Sequence, residues 1–412
     1  MKVLYVTQYF SSNPLHASAV TTYEIVTRLA QRGHKVSVIS ACSPGIARIY
    51  GGNARSCRFV NVLPMPEFSP QWYDGFTTLF THTLTHVPMT IGGLGLYQFH
   101  ERFDIIISMF HPTHMATVSA RLLSMILKVP LVTKIHDFVI ETFEPNMLKR
   151  AYHVLLGKIN YQALKGSDAI LVLSPELMDI VSKVEGIDEK KLLAFPNGVD
   201  TSFFKPDIQC DELRKKLGLE GKKVILFLGV QAGRHPELLI KGLPYIARRI
   251  KNFKLLFVGD GPEKYRLSLS SLAKSLDVGD FVEYAGSVKH SRVPEYISLA
   301  DVTIGPLSLT YDPAVSGSFP LKVLEYMACG KPVIACRGAV SESLIINGYN
   351  GVLCEPGDVE GLSLAIVNLF EDQRFSKFIG LNARTHVEKT ASWDVLIPRL
   401  EKLLASVVNS AR

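Results

Sequence analysis

Short apolar runs rich in β-branched residues recur along the chain, and longer stretches with helical spacing separate them. Between the first two runs, Tyr23, Val26, Leu29 and Ala30 lie on one face of a predicted helix, which ends at Gly33. The first set of runs is KVLYVT (2–7), KVSVIS (35–40), FDIIISM (103–109), PLVTKI (130–135) and AILVLS (169–174). This alternation predicts a parallel sheet with helices packed on it.

The alternation pauses at PNGVDTSFFKPD (196–207), where proline, Asn-Gly and two phenylalanines are typical of a connector. A second set of runs follows it: VILFLG (224–229), KLLFVG (254–259), FVEYAG (281–286), VTIGPL (302–307) and PVIAC (332–336). A length of 412 residues also exceeds the usual size of one core. The sequence therefore predicts an α/β protein with two Rossmann-like domains, residues 1–200 and 201–390, facing each other across a cleft. We expect the amphipathic C-terminal helix, residues 391–410, to pack back on the first domain.

The charge balance is basic, with a net charge of +7 and an excess of Lys and Arg among the first hundred residues. This excess suggests an anionic partner, although a basic surface without a function explains it equally well. Nucleic acid is disfavoured, because no arginine-rich run or interleaved basic and aromatic motif is present. The six cysteines lack zinc-site spacing, and the N-terminus lacks the features of a signal peptide, so we expect a reduced, cytoplasmic protein.

Residues 75–100 contain no Asp, Glu, Lys or Arg, but threonines, histidines, Pro88 and several glycines interrupt the stretch. Such a stretch is a poor membrane-spanning helix. The wider apolar and aromatic segment 65–100, together with the basic first domain, suits a peripheral position on a membrane surface. A packed helical subdomain is an equally good explanation of this segment.

The segment SFPLKVLEYMACGKPVIA (318–335) places Lys322 in the first turn of a predicted helix, with Pro320 at its start and Gly330 at its end. A cation there opposes the helix dipole. Lys322 and Glu325 share a face, so one interpretation is a surface ion pair, although Lys ahead of Glu is the less favourable order. The other is an anion such as a diphosphate bound at the helix start, with Glu325 accepting hydrogen bonds from a sugar diol.

Two further basic or titratable residues follow predicted strands, where ligands of open parallel sheets bind. Arg234 in LGVQAGRHPELLIKG stands ahead of a helix that begins near Pro236. A lone arginine is more often a surface residue, but paired with Lys322 across a cleft it becomes a phosphate clamp. His136 in TKIHDF also follows a strand, and a lone histidine is more often a structural residue than a catalytic one.

Taken together, these motifs resemble family 4 of the retaining glycosyltransferases with the GT-B fold. The resemblance extends from about residue 2 to about residue 400 and is most specific over SFPLKVLEYMACGKPVIACRGAVSESLIINGYNGVLCEPGD (318–358). RGHKVSV, SDAILVLS, PNGVD and VGDGP are further matches. The branch that it resembles carries a Pro-x-Lys-x-x-Glu-Tyr motif, here Pro320, Lys322, Glu325 and Tyr326.

The resemblance implies a set of donor-binding positions, some of which depart from the family pattern. These positions are His16, Ala17, Gly286, Val288, Gly317, Ser318, Phe319, Leu321 and Glu325. His16 and Ala17 replace the family's Gly-Gly, Gly317 replaces its first glutamate, and Gly286 and Val288 contact the base through main-chain groups. Val230 stands where the family has an arginine, so Arg234 would replace the lysine that follows it and Lys322 the lost charge.

In the first domain, the resemblance places His136 near the reacting carbon. His111 and His114 in FHPTH follow another strand and would face the acceptor, although two histidines three positions apart can also be a surface accident.

The activity implied by the resemblance is a retaining, metal-independent glycosyl transfer that uses no cofactor. A hexosyl or N-acetylhexosaminyl group moves from a UDP- or GDP-linked sugar to a hydroxyl or phosphate, on a lipid-linked or polysaccharide precursor. Arg234, Lys322 and the helix starts would stabilise the leaving group, each donor contributing roughly 3 kcal/mol. A nucleotide-sugar epimerase and a non-catalytic nucleotide-sugar binder are the alternatives. A dehydrogenase is disfavoured, since no GxGxxG begins either first helix.

Overall fold

The structure is a computed structural model, and the chain in it divides into two compact units. The first comprises Met1–Asn197 with Leu396–Arg412, and the second comprises Gly198–Val395. The residues that the structure describes are 1–9, 17–42, 57–61, 86–98, 102–112, 114–135, 147–229, 234–259, 261–309 and 321–411.

A seven-stranded parallel sheet forms the centre of the first unit, with the strand order β3-β2-β1-β4-β5-β6-β7. Its strands are β1 (Lys2–Tyr9), β2 (Lys35–Cys42), β3 (Cys57–Asn61), β4 (Ile105–Phe110), β5 (Leu131–Ile135), β6 (Ala169–Val172) and β7 (Leu192–Ala194). Val3 pairs with Val36 on one side and with Ile105 on the other, so the strand order reverses direction at β1 and β4.

Five helices connect these strands in the described part, and the chain's last helix joins them. They are α1 (Ala17–Gln31), α2 (His86–Gln98), α3 (Ala116–Leu127), α4 (Met147–Lys165) and α5 (Pro175–Glu185). Leu4 and Val6 of β1 alternate toward one face of the sheet, where they pack in a buried cluster with Met89 of α2 and Leu123 of α3.

The second unit contains a six-stranded parallel sheet with the order β10-β9-β8-β11-β12-β13. Its strands are β8 (Lys223–Leu228), β9 (Phe253–Val258), β10 (Val282–Tyr284), β11 (Val302–Ile304), β12 (Val333–Cys336) and β13 (Val352–Cys354). Its helices are α6 (Asp211–Lys216), α7 (Glu237–Arg249), α8 (Glu263–Ser275), α9 (Val293–Leu299), α10 (Leu321–Ala328), α11 (Ala339–Leu344), α12 (Val359–Glu371) and α13 (Gln373–Thr390). Short 3₁₀ helices cover Gly279–Phe281 and His290–Arg292 in this unit, and Glu189–Lys191 in the first unit. The last helix is α14 (Trp393–Ser410), and its residues from Leu396 onward belong to the first unit.

The connector after residue 196 is held by the segment that enters α14. The Val199 amide donates to the Ala391 carbonyl at 2.9 Å, and Val199 forms a parallel bridge with Ser392. A Cβ on Gly198 would lie 2.5 Å from the Trp393 ring, so the indole packs directly on the glycine backbone.

Two α/β units with parallel sheets confirm the predicted fold class, and each of the ten predicted strands is present. Three strands were missed: β3, β7 and β13. Two of them have three residues each, too few for a hydrophobic period to be recognised. The cleft between the domains stays a prediction.

Within the described residues, no helix is long and apolar enough to cross a membrane. The cysteines whose side chains are described, Cys210, Cys329, Cys336 and Cys354, are free thiols.

Candidate functional site

The candidate site lies at the carboxyl end of β8, beside the point where the strand order of the second sheet reverses between β8 and β11. Open parallel sheets bind their ligands outside the carboxyl ends of strands at such a point. Helix α10 also begins there, and its second residue, Lys322, contacts Leu228, the last residue of β8.

Two side chains of α10, four residues apart, bind the main chain of Leu228. Lys322 donates from Nζ to the Leu228 carbonyl at 2.5 Å, and the Leu228 amide donates to the Tyr326 hydroxyl at 2.9 Å. Gly229 follows with φ +80°, and a Cβ on it would lie 2.7 Å from Lys322 Nζ. The glycine therefore serves both the left-handed backbone and the close approach of the ammonium.

The Lys322 ammonium lies in a partly desolvated, positively charged environment. Burial and, to a smaller extent, the neighbouring Arg234 guanidinium lower the pKa of Lys322 to about 8, while Glu325 acts in the opposite direction. Nζ also lies 5.9 Å from the centre of the Phe227 ring. Two cations that repel each other at the carboxyl edge of a parallel sheet are stabilised when an anion binds between them.

The starts of α10 and α7 differ in charge. The first turn of α10 contains no acidic residue. At α7 the first residue is Glu237, whose carboxylate accepts from the Tyr265 hydroxyl at 2.7 Å and lies 2.9 Å from His235 Nδ1. Burial raises the pKa of Glu237, but these hydrogen bonds lower it more, and the net direction is downward. The α7 dipole already has a carboxylate, which makes α10 the better anion site.

Glu325 is on the same helix as Lys322, and its carboxylate lies 3.6 Å from His290 Nε2. The centre of the His290 ring lies 5.7 Å from the ring centre of Phe203 and 5.6 Å from that of Phe204, and both phenylalanines belong to the connector. Sequence reasoning missed His290, which follows Gly286 and Val288 by a few residues. The sequence signal that could have indicated His290 is the adjacent pair Phe203 and Phe204, because two neighbouring aromatic side chains need a surface to pack against.

The C-terminal end of α10 is fixed by Arg384 of α13. Its guanidinium donates to the carbonyls of Ala328, Phe204 and Thr201 at 2.6, 2.7 and 3.0 Å. The helix that carries Lys322 is thus held at both ends, which restricts the position of the ammonium.

Gly286 and Val288, assigned to base binding, follow β10. Gly286 has φ +68°, and a Cβ there would meet open space. Its carbonyl accepts from the Gly259 amide at 2.8 Å, which leaves one lone pair of that oxygen for another donor.

In the first unit, the structure brings His111 and His114 together just after β4. Their rings stack with centroids 4.0 Å apart and planes 18° apart, and the His114 amide donates to the His111 carbonyl at 3.1 Å.

Several predicted site residues lie outside the described residues. These are His16, His136, Gly317, Ser318 and Phe319. Ala17 is the first residue of α1, and Leu321 is the first residue of α10, where it is partly buried. Across the ranges that the structure describes, no group of three or more His, Cys, Asp or Glu residues is arranged to hold a metal ion.

The chain is similar to known proteins over both of its units. Residues 18–203 match the family model described as Glycosyltransferase Family 4, and residues 209–386 match the one described as Glycosyl transferases group 1. An uncharacterised glycosyltransferase of Methanocaldococcus jannaschii is 24% identical over 399 residues, which cover 96% of this chain and 95% of the relative. The N-acetyl-alpha-D-glucosaminyl L-malate synthase of Bacillus anthracis is 23% identical, covering 95% and 94%.

A third relative matches over a shorter length. The GDP-mannose-dependent alpha-(1-6)-phosphatidylinositol monomannoside mannosyltransferase of Mycolicibacterium smegmatis is 28% identical over 212 residues, or 51% of this chain. The chain spans about half the length of this relative, 55%.

Among solved structures, Anabaena HepE in complex with UDP superposes with a TM-score of 0.74 at 19% identity, covering 98% of this chain and 100% of HepE. Sucrose-phosphate synthase from Thermosynechococcus elongatus has the same TM-score at 18% identity, with both chains covered completely. At this identity the likeness shows the fold alone. The two family matches cover most of the chain in succession, and the protein therefore belongs to glycosyltransferase family 4, as a glycosyltransferase with the GT-B fold.

Proposed function

We propose that this glycosyltransferase moves a hexosyl or N-acetylhexosaminyl group from a UDP- or GDP-linked sugar to an acceptor hydroxyl or phosphate. The observation that carries the proposal is the Lys322 ammonium bound to the last carbonyl of β8, beside a helix start without acidic residues and near enough to Arg234 for the guanidinium to lower its pKa. These groups suit the diphosphate of a nucleotide sugar.

The chemistry follows from where negative charge develops. Cleavage of the bond between the sugar and the diphosphate leaves a charge on the departing phosphate oxygen. The Lys322 ammonium, the Arg234 guanidinium and the α10 amides would meet that charge in positions held before the reaction begins. Glu325, one turn further along α10, would accept hydrogen bonds from the ribose diol.

Two similar proteins support the proposed donor class. One relative uses GDP-mannose, and HepE was crystallised with UDP and with UDP-glucose. Main-chain groups of Gly286 and Val288 would contact the base.

For the course of the reaction we propose retention of the anomeric configuration, without a metal ion or cofactor. Attack would occur on the face from which the leaving group departs, with a donor phosphate oxygen accepting the acceptor's proton. NMR coupling constants of the anomeric proton in the product test retention, and activity after EDTA treatment tests metal independence.

For the acceptor we propose a lipid-linked sugar or polysaccharide precursor at the cytoplasmic membrane surface. His136 would lie near the reacting carbon, while His111 and His114 would face the acceptor. Arrangement of the two histidines after β4 supports this assignment, because strand ends of the first sheet are where its ligand is expected.

The decisive experiment is a donor panel. A thermal-shift screen with UDP, GDP and their sugars should show stabilisation by one nucleotide and its sugar. Transfer to lipid-linked acceptors should then release that nucleoside diphosphate. Absence of stabilisation by every nucleoside diphosphate would contradict the proposed donor class, and an epimerised sugar formed without an acceptor would contradict transfer.

A further inference from the structure

Three helices of the first unit expose large aliphatic side chains, and we call these side chains the α2–α4 surface. Its members are Val87 and Ile91 of α2, Leu122, Met125 and Ile126 of α3, and Met147, Val154, Leu155 and Ile159 of α4. Met147 is 85% exposed and Ile91 is 62% exposed. Singly exposed apolar residues are normal on a protein surface, but nine on adjacent helices require an explanation.

The three helices form one continuous surface, because α3 packs against both α2 and α4. His86 Nδ1 of α2 lies 2.5 Å from Ser119 Oγ of α3. Asn160 of α4 donates to the Pro112 carbonyl, just ahead of α3, at 3.1 Å. The side chains that make these contacts are buried or half-buried, whereas the members of the α2–α4 surface are exposed.

The same three helices contain no Asp or Glu in their sequences, whereas they contain five Lys or Arg. On α4, Arg150 and Lys158 are exposed and lie four residues before Val154 and four after it, on one side of the helix. Helix α5 of the same unit differs, since PELMDIVSKVE carries three acidic residues. Positive charge and apolar surface therefore coincide on α2–α4.

We propose that the α2–α4 surface docks on a membrane that contains anionic lipids. Anionic headgroups attract cations such as Arg150 and Lys158 without a fixed geometry, and the apolar side chains can enter the interfacial layer. A second copy of this chain is a poorer occupant, because pairing two such surfaces would bring positive charge against positive charge. The proposal deepens the proposed membrane location of the acceptor by naming the surface that would dock, and vesicle binding tests it without donor or acceptor.

The test is vesicle binding of the full chain, measured by flotation without nucleotide sugar or acceptor. Vesicles contain phosphatidylcholine alone or phosphatidylcholine with phosphatidylglycerol. We expect binding only to the anionic vesicles, weakened by salt. The double variant Arg150→Gln/Lys158→Gln and the triple variant Ile91→Ser/Met125→Ser/Leu155→Ser should each lower vesicle affinity by roughly tenfold or more.

Matched controls come from the second unit. Lys215→Gln/Lys216→Gln removes two exposed cations of α6, and Leu267→Ser/Leu381→Ser removes exposed apolar side chains of α8 and α13. Both controls should bind vesicles like the parent protein, and circular dichroism verifies that all variants are folded.

Three results would overturn the proposal: no binding of the parent protein to anionic vesicles, equal losses in the controls, or a dimer in light scattering that the triple variant abolishes. The last would assign the surface to a second copy. Transfer to a water-soluble acceptor, measured in parallel, separates failure of docking from failure of the proposed transfer reaction.

Discussion

Lys322 and Leu228 are joined by a 2.5 Å hydrogen bond from the lysine ammonium to the last carbonyl of β8. The same ammonium is close enough to Arg234 for the guanidinium to depress its pKa. One side chain thus links the start of α10 to the central strand of the sheet and contributes half of a cationic pair. A simple surface ion pair with Glu325 does not describe this arrangement, because Glu325 contacts His290 instead.

The first prediction concerns the Lys322→Met variant. Loss of the ammonium should weaken binding of UDP or GDP by tenfold or more, because a charge-assisted hydrogen bond contributes about 1.5–3 kcal/mol. Some stability should be lost as well, since the Leu228 carbonyl loses its donor. Isothermal titration and thermal melting measure the two effects separately.

Lys331→Met is the matched control for that variant. Lys331 is also partly buried and donates to two carbonyls, of Ser298 at 2.8 Å and Ala300 at 2.9 Å, and burial lowers its pKa too. The control should lose stability and keep nucleotide affinity. Equal affinities for the parent protein and Lys322→Met would remove Lys322 from the anion site.

Nucleotide affinity should depend on pH through Lys322. Its pKa in the free protein is about 8, and a bound diphosphate favours the ammonium, so the pKa rises in the complex. Above pH 8, binding of the nucleotide therefore takes up a proton. The nucleotide affinity should fall by up to about tenfold per pH unit as the pH rises. Titration calorimetry across this range should show the decline for the parent protein and a flat profile for Lys322→Met.

The buried Lys134 should make stability depend on pH in the opposite sense. It is 1% exposed, donates to the Phe195 carbonyl at 3.1 Å, and has a pKa lowered by burial from 10.5 to about 7. Between these two values the unfolded chain binds a proton that the folded protein does not. The free energy of unfolding should rise with pH across this window, by up to about 1.4 kcal/mol per pH unit. The stability gained in this way should be lost again as the pH falls from 10.5 to 7.

Urea denaturation at several pH values measures that slope. Lys134→Met should flatten it, whereas Lys216→Met, at an exposed position, should leave it as it is. A parent slope that survives in Lys134→Met would mean that another group titrates.

Gly198→Ala should destabilise the second unit. The added methyl group would lie 2.5 Å from the Trp393 ring, and overpacking of this kind costs about 1–3 kcal/mol. Gly157→Ala in α4 is a control, because a Cβ there meets only Tyr161, at 3.9 Å, and helix propensity favours alanine. A melting temperature of Gly198→Ala equal to that of the parent would show that Trp393 can move aside without cost.

Glu401→Ala should loosen α14 from the first unit. Its carboxylate lies 2.7 Å from both Arg32 Nε and His34 Nε2. Burial raises the pKa of Glu401, but the bonds from His34 and Arg32 lower it more, so this contribution to stability is present at neutral pH and lost in acid. We expect a loss of about 1–3 kcal/mol at neutral pH, measured by chemical denaturation.

The more exposed pair Arg249–Glu371 supplies the comparison for this ion pair. Glu371→Ala should change stability by less than about 0.5 kcal/mol, because solvent screens the pair and both side chains are free to move. Similar losses in the two variants would show that burial does not strengthen the Glu401 contacts.

The strands that were predicted correctly have long β-branched runs, so their period and composition are visible without any partner. The three that were missed depend on their neighbours: Val352–Cys354, for example, is a strand because β12 pairs with it residue by residue. In the candidate site, Lys322 stood out because a cation at a helix start is locally unfavourable. The sequence did not indicate His290 or Arg384, because their contacts, such as His290 with Glu325 and Arg384 with Ala328, join residues far apart in the chain.

Local patterns thus determined the fold class, the helix that follows Pro320 and the presence of Lys322 in its first turn, because backbone propensity and hydrophobic period act over a few residues. Tertiary structure decided the partners: Lys322 with Leu228, Glu325 with His290, and Glu401 with His34. It also decided that the apolar sides of α2, α3 and α4 meet on one surface, because which side of a helix faces solvent depends on what packs against the other.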